Sequence, residues 1–394
     1  MKVKSIHPFP ARMAPDLALV AMDDLPAGSL VLDPMMGSGT VIRQALESGH
    51  RAVGYDLDPL AVLMSKVWTT PVTDDDVGTL LEEVLTRISG SAATPVPPQW
   101  QDEETIRFIE YWFHVDQRRD LSCLAIEIDR LGRQLLTAGQ RAALDVLKVG
   151  FSRIIITKEQ AASLARDTSH SRPHRVATSS DYRVIPNFVR SVNQLRNRLA
   201  KDPPRAPADL NVGDARALNL PNNSVDGVIT SPPYLNAIDY MRGHRMSLVW
   251  LGHSIPTLRR IRSESIGAER RSDGHTLQAS SASVLAAMRG SERLGPRLEG
   301  IMERYAVDVL RMTGEIARVL KPGGLATFVV GNSCVKGRFI DNSNGVARAV
   351  ELAGMSVVGK RERDLPTASR YLPVFGDALS KRMRTETVLS CRAA

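Results

Sequence analysis

The chain has 394 residues, 43% of them hydrophobic, enough for one large domain or two smaller ones with true cores. Its longest apolar runs, Leu17 to Met22 and Leu325 to Val330, are far too short to cross a bilayer, and Met1-Lys2-Val3-Lys4-Ser5 has no signal-peptide pattern, so a cytoplasmic location is expected. The three cysteines, Cys123, Cys334 and Cys391, have no metal-ligand or redox spacing, and a formal net charge of +8 favours a polyanionic partner.

In chain order, four short apolar segments have the pattern of buried parallel strands: Leu30 to Leu32, Ala52 to Tyr55, Val225 to Ile229 and Leu325 to Val330. Helical periodicity follows three of them, over Val41 to Ser48, Pro59 to Val67 and Asp341 to Ala353. Strands alternating with helices predict an α/β doubly wound sheet. Between the second and third strands, residues 71–207 form a mostly helical insertion, with helices expected over Glu103 to His114 and Asp116 to Leu135. Pro203-Pro204-Arg205-Ala206-Pro207 is the hinge back into the sheet. The discontinuous domain is thus 1–70 plus 208–394. Ser254 to Pro296 is rich in Arg, Ser and Gly and is expected to be a long functional or mobile loop.

Charge is unevenly spread. Asp74 to Arg130 is acidic, whereas Phe151 to Arg205 carries Arg153, Arg172, Arg175, Arg190, Arg196, Arg198 and other cations against few acids. Such a run is either a phosphate-binding surface or a solvated face. The same two readings apply to His170, Arg172, His174 and Arg175. Arg259, Arg260 and Arg262 are further candidate contacts to such a polyanion.

Asp33-Pro34-Met35-Met36-Gly37-Ser38-Gly39-Thr40 runs from a strand through a glycine turn into a helix. Gly37 and Gly39 remove Cβ atoms that would keep a ligand from the backbone, and the helix start offers N–H groups. Asp33 at the strand end can hold a cationic amino-acid moiety. Asp56, ending the second strand, can accept from ribose hydroxyls, with Asp58 the alternative; either acid can instead cap the helix starting at Pro59. Asp214 can accept from an adenine amino group or serve as a turn acid. Ser231-Pro232-Pro233-Tyr234 follows the third strand, where two prolines fix the backbone and leave carbonyls without local N–H competition.

With these motifs the chain resembles the DNA amino-methyltransferases that modify N4 of cytosine or N6 of adenine. That family has a D-P-F-x-G-S-G-T motif, here Asp33 to Thr40 with Met35-Met36 in place of the aromatic-containing pair, and a (D/N/S)-P-P-Y motif, here Ser231 to Tyr234. His7-Pro8-Phe9-Pro10-Ala11-Arg12-Met13-Ala14-Pro15 is similar to the family segment that closes over the methionine part of the cofactor, and Val319 to Gly324 to the turn before the fifth strand.

The resemblance implies a Rossmann-like class I methyltransferase sheet flanked by helices. Its cofactor would be S-adenosylmethionine, bound by His7, Pro8, Asp33, Pro34, Gly37, Ser38, Gly39, Thr40, Asp56 and Asp214. Ser231, Pro232, Pro233 and Tyr234 would act on a base flipped out of double-stranded DNA. Ser at the head of the motif points to cytosine N4; adenine N6, an RNA base, or a non-catalytic DNA-binding subunit are the alternatives. The resemblance also leaves room for a restriction endonuclease partner, for a monomer or a homodimer, and for a bacterial, nucleoid-associated location. No cysteine nucleophile is needed for methylating an amine, so the cysteines are expected to be inert.

Overall fold

The computed structural model describes residues 6–7, 13–90, 100–157, 159–166, 173–235, 239–267, 278–289, 295–335, 338–364 and 385–394. The chain divides into two compact units: Met1–Arg12 with Asp58–Pro207 and Asp239–Ile261, and Met13–Leu57 with Ala208–Ile238 and Arg262–Ala394.

The second unit is built on a seven-stranded sheet. Its strands are β1 (Leu30–Asp33), β2 (Arg51–Asp56), β3 (Asp209–Val212), β4 (Val225–Thr230), β5 (Leu320–Gly331), β6 (Ser356–Asp364) and β7 (Thr385–Arg392), in the spatial order β6-β7-β5-β4-β1-β2-β3. The strands from β3 through β5 are parallel; β7 runs antiparallel between β5 and β6. The order reverses between β1 and β4, and at such a switch point the loops leaving the carboxyl ends of the two strands diverge and open a crevice. Helices Pro15–Met22, Thr40–Glu47, Ala279–Arg289, Pro296–Val319 and Asn342–Leu352 belong to this unit. Leu32, Val53, Val228, Phe328, Tyr305, Ile316 and Val346 form part of its core.

This order, with one antiparallel strand, is the class I methyltransferase sheet expected from the motifs. The four anticipated strands are all present. Three more are not visible as apolar runs. β3 is a four-residue edge strand with one buried side chain, Leu210, and β6 is the charged opposite edge, with Lys360, Arg361, Glu362 and Arg363 along it. β7 mixes polar and apolar residues because it alternates faces, burying Thr387, Leu389 and Cys391. The expected turn at Val319 to Gly324 is a bulge within β5, where pairing jumps from Val225↔Leu320 to Gly227↔Leu325.

The first unit is largely helical: Pro59–Thr69, Asp74–Gly90, Glu103–Trp112, Val115–Gly132, Ala138–Ile155, Val184–Lys201 and Met241–Leu248, with a short hairpin pairing Ala165–Arg166 with His174–Arg175. Local chemistry sets several helix starts. Asp102 accepts from Thr105 N at 2.8 Å, and Thr137 with Gln140 forms a reciprocal capping box. Asp74, Asp75 and Asp76 occupy the first turn of their helix, where negative charge is favoured. Trp68 and Trp250 lie in this unit's core, as expected.

The stretch Ser254 to Pro296 departs from the expectation of a loop. It contains helices Ile255–Glu264 and Ala279–Arg289, whose buried positions Ile255, Leu258, Val284, Leu285 and Met288 are diluted in sequence by Arg, Ser and Ala. Among the described residues no helix is long and apolar enough to cross a membrane.

Candidate active site at the carboxyl edge of the sheet

β1 ends in Asp33, which is 3% exposed. Thr230 Oγ1 donates to Asp33 Oδ1 at 2.8 Å and Met35 N donates to the same oxygen at 3.2 Å. Burial outweighs these bonds and pushes the Asp33 carboxyl up to about 7, with Asp56 adding a repulsive contribution. Thr230 ends β4 and immediately precedes Ser231, so the two motifs are joined by a side-chain bond between neighbouring strands. Nothing in the sequence singled out Thr230; its only signal is a hydroxyl following the apolar pair Val228-Ile229 at the end of the strand.

Gly37 and Gly39 both have positive φ, 51° and 83°, and Gly39 caps the helix Thr40–Glu47 in the left-handed region. This turns the loop so that Gly37 N donates to Asp56 Oδ2 at 2.9 Å. Asp56, at the end of β2, is thereby fixed beside the glycine turn. Ser38 Oγ is buried and has no hydrogen-bond partner among the described residues. An unpaired buried hydroxyl at a glycine turn, flanked by two strand-end carboxylates, fits a ligand that carries hydroxyls and a positive charge. Asp58 has the other role weighed for it: it caps the helix Pro59–Thr69 through Leu60 N at 2.9 Å and bonds the His244 ring.

Asp214 follows β3 and is gripped by Arg216, whose Nε and Nη2 reach its two oxygens at 2.9 Å and 2.7 Å. Arg216 also reaches Asp308 at 2.7 Å and donates to the Glu264 carbonyl. The Arg216 backbone N–H also donates to Asp214 Oδ1 at 2.9 Å, so three donor groups of one residue orient this carboxylate. The Arg216–Asp308 partnership escaped sequence reasoning because 92 residues separate the pair.

The Ser231–Tyr234 segment leaves β4 at its carboxyl end. Ser231 is exposed, and its hydroxyl donates to the Val329 carbonyl of β5 at 2.9 Å. A carbonyl only accepts, so the Ser231 proton is committed and its oxygen lone pairs are left to receive an N–H. Pro232 is buried, and Pro233 and Tyr234 are half-buried. The segment is tied down at Leu235, whose carbonyl accepts from the Ser333 hydroxyl; Asn342 Nδ2 donates to Ser333 Oγ at 2.7 Å and to the Gly331 carbonyl at 2.9 Å. Asn332 serves a turn, accepting Ser343 N at 3.2 Å.

Asp33, Gly37, Ser38, Gly39, Asp56, Asp214 and Ser231 to Tyr234 thus all belong to the carboxyl-edge loops of one sheet, with Thr40 buried at the first helical position and Pro34 inside the turn. His7 belongs to the other unit, where its Nε2 lies 3.2 Å from Ser152 Oγ; Pro8 lies outside the described residues. Arg172 also lies outside them. His174 and Arg175 are exposed, and the Arg175 guanidinium sits 4.9 Å from the centroid of the exposed Tyr111 ring. Arg259 pairs with Glu104, and Arg260 and Arg262 lie on the same helix, Ile255–Glu264. The buried Cys391 thiol is pushed up to about 12 by desolvation, which leaves it unreactive. The side chain of Cys334 is outside the described residues.

The sheet order and the loops along its carboxyl edge define a class I methyltransferase scaffold. No family model matches the chain. It is 22% identical over 138 residues to the type II methyltransferase M.MjaII of Methanocaldococcus jannaschii, covering 34% of this chain and 26% of that protein. It is 39% identical over 70 residues to the type II methyltransferase M.MvaI of Kocuria varians, covering 17% of this chain and 15% of that protein. The chain therefore spans well under two thirds of the length of either relative. Among solved structures, it is similar to a protein described as a DNA modification methylase from Thermus thermophilus, at 18% identity over 46% of this chain and 50% of that one, with a TM-score of 0.23. It is also similar to a SAM-dependent methyltransferase from Methanosarcina mazei, at 9% identity over 97% and 99% of the chains, with a TM-score of 0.34. The resemblance to DNA methyltransferases stated from the motifs is the one these sequence matches carry.

Proposed function

We propose that the protein is an S-adenosylmethionine-dependent DNA methyltransferase that methylates the N4 amino group of cytosine. The observation that carries this reading is the Ser231 hydroxyl, which spends its proton on the Val329 carbonyl and so turns acceptor lone pairs to the site.

S-adenosylmethionine supplies, when bound, a sulfonium-activated methyl group. The residues that would hold it are Asp33 for the cationic amino-acid end, Asp56 and Ser38 for ribose hydroxyls, and Asp214 for the adenine amine. The chain's task is then positional. An exocyclic amine is a poor nucleophile because its lone pair is delocalised into the ring. Ser231 Oγ and the Pro232 carbonyl accept its two N–H groups, drawing the nitrogen toward tetrahedral geometry. The same acceptors stabilise the positive charge that develops on nitrogen. Tyr234 stacks on the flipped base, worth about 1–3 kcal/mol, which offsets the few kcal/mol needed to extract it.

Support for a DNA substrate comes from the type II methyltransferase relatives, and support for cytosine from Ser at the head of the motif. The test is mass spectrometry of nucleosides from unmethylated plasmid DNA incubated with the protein and S-adenosylmethionine. N4-methylcytosine is expected. N6-methyladenine would overturn the base, and methylation of RNA alone would overturn the DNA substrate.

A further inference from the structure

Within the helical unit, helices Ala138–Ile155 and Val184–Lys201 border a cavity of about 460 Å³. That is larger than a bare ion needs and within the range of small-molecule sites. Three guanidinium-bearing residues line it: Arg153, Arg190 and Arg198. Arg153 is half-buried and donates to the Ser191 carbonyl at 3.4 Å and to Gln194 Oε1 at 3.0 Å. Arg190 donates to Asn187 Oδ1 at 3.5 Å. Among the described residues, neither Arg153 nor Arg190 has a carboxylate partner.

Several other arginines of the same unit are neutralised. Arg196 takes both oxygens of Asp74 at 2.7 Å and 2.6 Å, Arg130 pairs with Glu83 and Glu127, and Arg118 pairs with Glu110. At the cavity, Arg153 and Arg190 have no such acid among the described residues and lie on its lining together with Arg198. Desolvation, reinforced by the nearby Arg198 charge, holds the Arg153 guanidinium below its ordinary pKa. A partly desolvated guanidinium without a carboxylate partner is costly until an anion arrives, and guanidinium forks suit phosphate geometry. Tyr182 also lines the cavity, and burial raises its hydroxyl pKa, so it remains a neutral donor.

We propose that this cavity is a binding site for the phosphate group of a nucleotide, with Arg153 and Arg190 as its charged donors and Tyr182 as its neutral one. The phosphate has two sources, the backbone of the DNA substrate or a free nucleotide. The DNA source rests on the function proposed above; the free-nucleotide source does not.

The test uses the full chain and its Arg153→Gln and Arg190→Gln variants in phosphate-free buffer. Binding to a fluorescent duplex is followed over a sodium chloride series, and thermal unfolding is followed by tryptophan fluorescence with and without 5′-AMP. All four tryptophans, at 68, 100, 112 and 250, lie in the unit that holds the cavity. If the site takes DNA backbone, the slope of log K against log salt becomes less steep by about 1 in Arg190→Gln. If it takes a free nucleotide, the slope is unchanged and 5′-AMP raises the melting temperature of the wild type but of neither variant. Either source also predicts that Arg153→Gln melts higher than wild type without ligand, because an uncompensated cation is gone. An unchanged slope with no 5′-AMP effect overturns the site, as does a lowered melting temperature in both ligand-free variants. The plasmid methylation assay reads the proposed activity separately, so its failure is distinguishable from failure of this site.

Discussion

Replacing Asp33 by Asn isolates the charge at the end of β1. Asn keeps a carbonyl oxygen to accept from Thr230 and Met35 but cannot ionise. In the wild type the carboxyl is raised from 3.8 to about 7. Below pH 4 it is protonated both folded and unfolded, and costs the fold nothing. Between pH 4 and 7 the unfolded chain releases a proton that the folded chain retains, so stability falls by about 1.4 kcal/mol per pH unit. Above pH 7 the full penalty is present, about 4 kcal/mol. Asp33→Asn should therefore be more stable than wild type by up to that amount at pH 8, with the gain shrinking toward pH 4.

No tryptophan lies in the unit that carries Asp33, but Cys391, buried in β7, does. Labelling of Cys391 along a urea series, read by peptide mass spectrometry and compared at matched pH, measures opening of that unit. The variant should also lose affinity for S-adenosylmethionine, more at pH 8 than at pH 6, where the wild-type acid is itself largely protonated. A stability difference that stays constant between pH 5 and 8 would refute the argument.

The other expectations concern separate parts of the molecule. Ser231→Ala should lower turnover by about 10²–10³-fold, the scale of losing one preorganised transition-state group, with cofactor affinity unchanged. Asp56→Ala should chiefly weaken cofactor binding by calorimetry; equal loss of cofactor affinity in both variants would contradict their separate roles. Arg216→Ala removes an ion-pair partner of the buried Asp308 carboxylate and should cost about 1–3 kcal/mol in the Cys391 assay, partly recovered by the paired change Arg216→Met with Asp308→Leu. Arg175→Glu should weaken duplex binding and flatten its salt dependence by one to two units, whereas an unchanged slope would remove the Tyr111–Arg175 surface from the interface.

Local backbone chemistry was legible in the sequence. The glycine turn at Gly37 to Gly39, the strand-end acids and the Pro-Pro-Tyr segment are contiguous, and their residue types declare backbone conformation and hydrogen-bonding capacity directly. The central strands were legible because parallel strands buried on both faces are apolar throughout. The edge strands β3 and β6 were not, since one face or end of each meets solvent. Helices in Ser254 to Pro296 were hidden because their buried faces rely on few large side chains. Long-range polar partners were least accessible: Thr230 on Asp33, Arg216 on Asp308, and Ser333 beneath Leu235 each depend on strand order, which no spacing encodes.

The position of β7 has a consequence for how the sheet can be taken apart. It is not a trim along one margin but an interior strand, paired with β5 from Leu325 to Gly331 and with β6 from Ser356 to Asp364. Its grip on the sheet is made by backbone pairing on both flanks and by the buried side chains of Thr387, Leu389 and Cys391. A nick between the two strands should leave the sheet assembled, and a peptide spanning β7 should rejoin a chain that lacks it. Loss of that peptide would strand β6 without a neighbour and open the flank of β5, whose next strand, β4, leads into Ser231. The molecule is thus suited to reconstitution from two fragments, with the proposed methyl transfer as the signal that the smaller piece has returned.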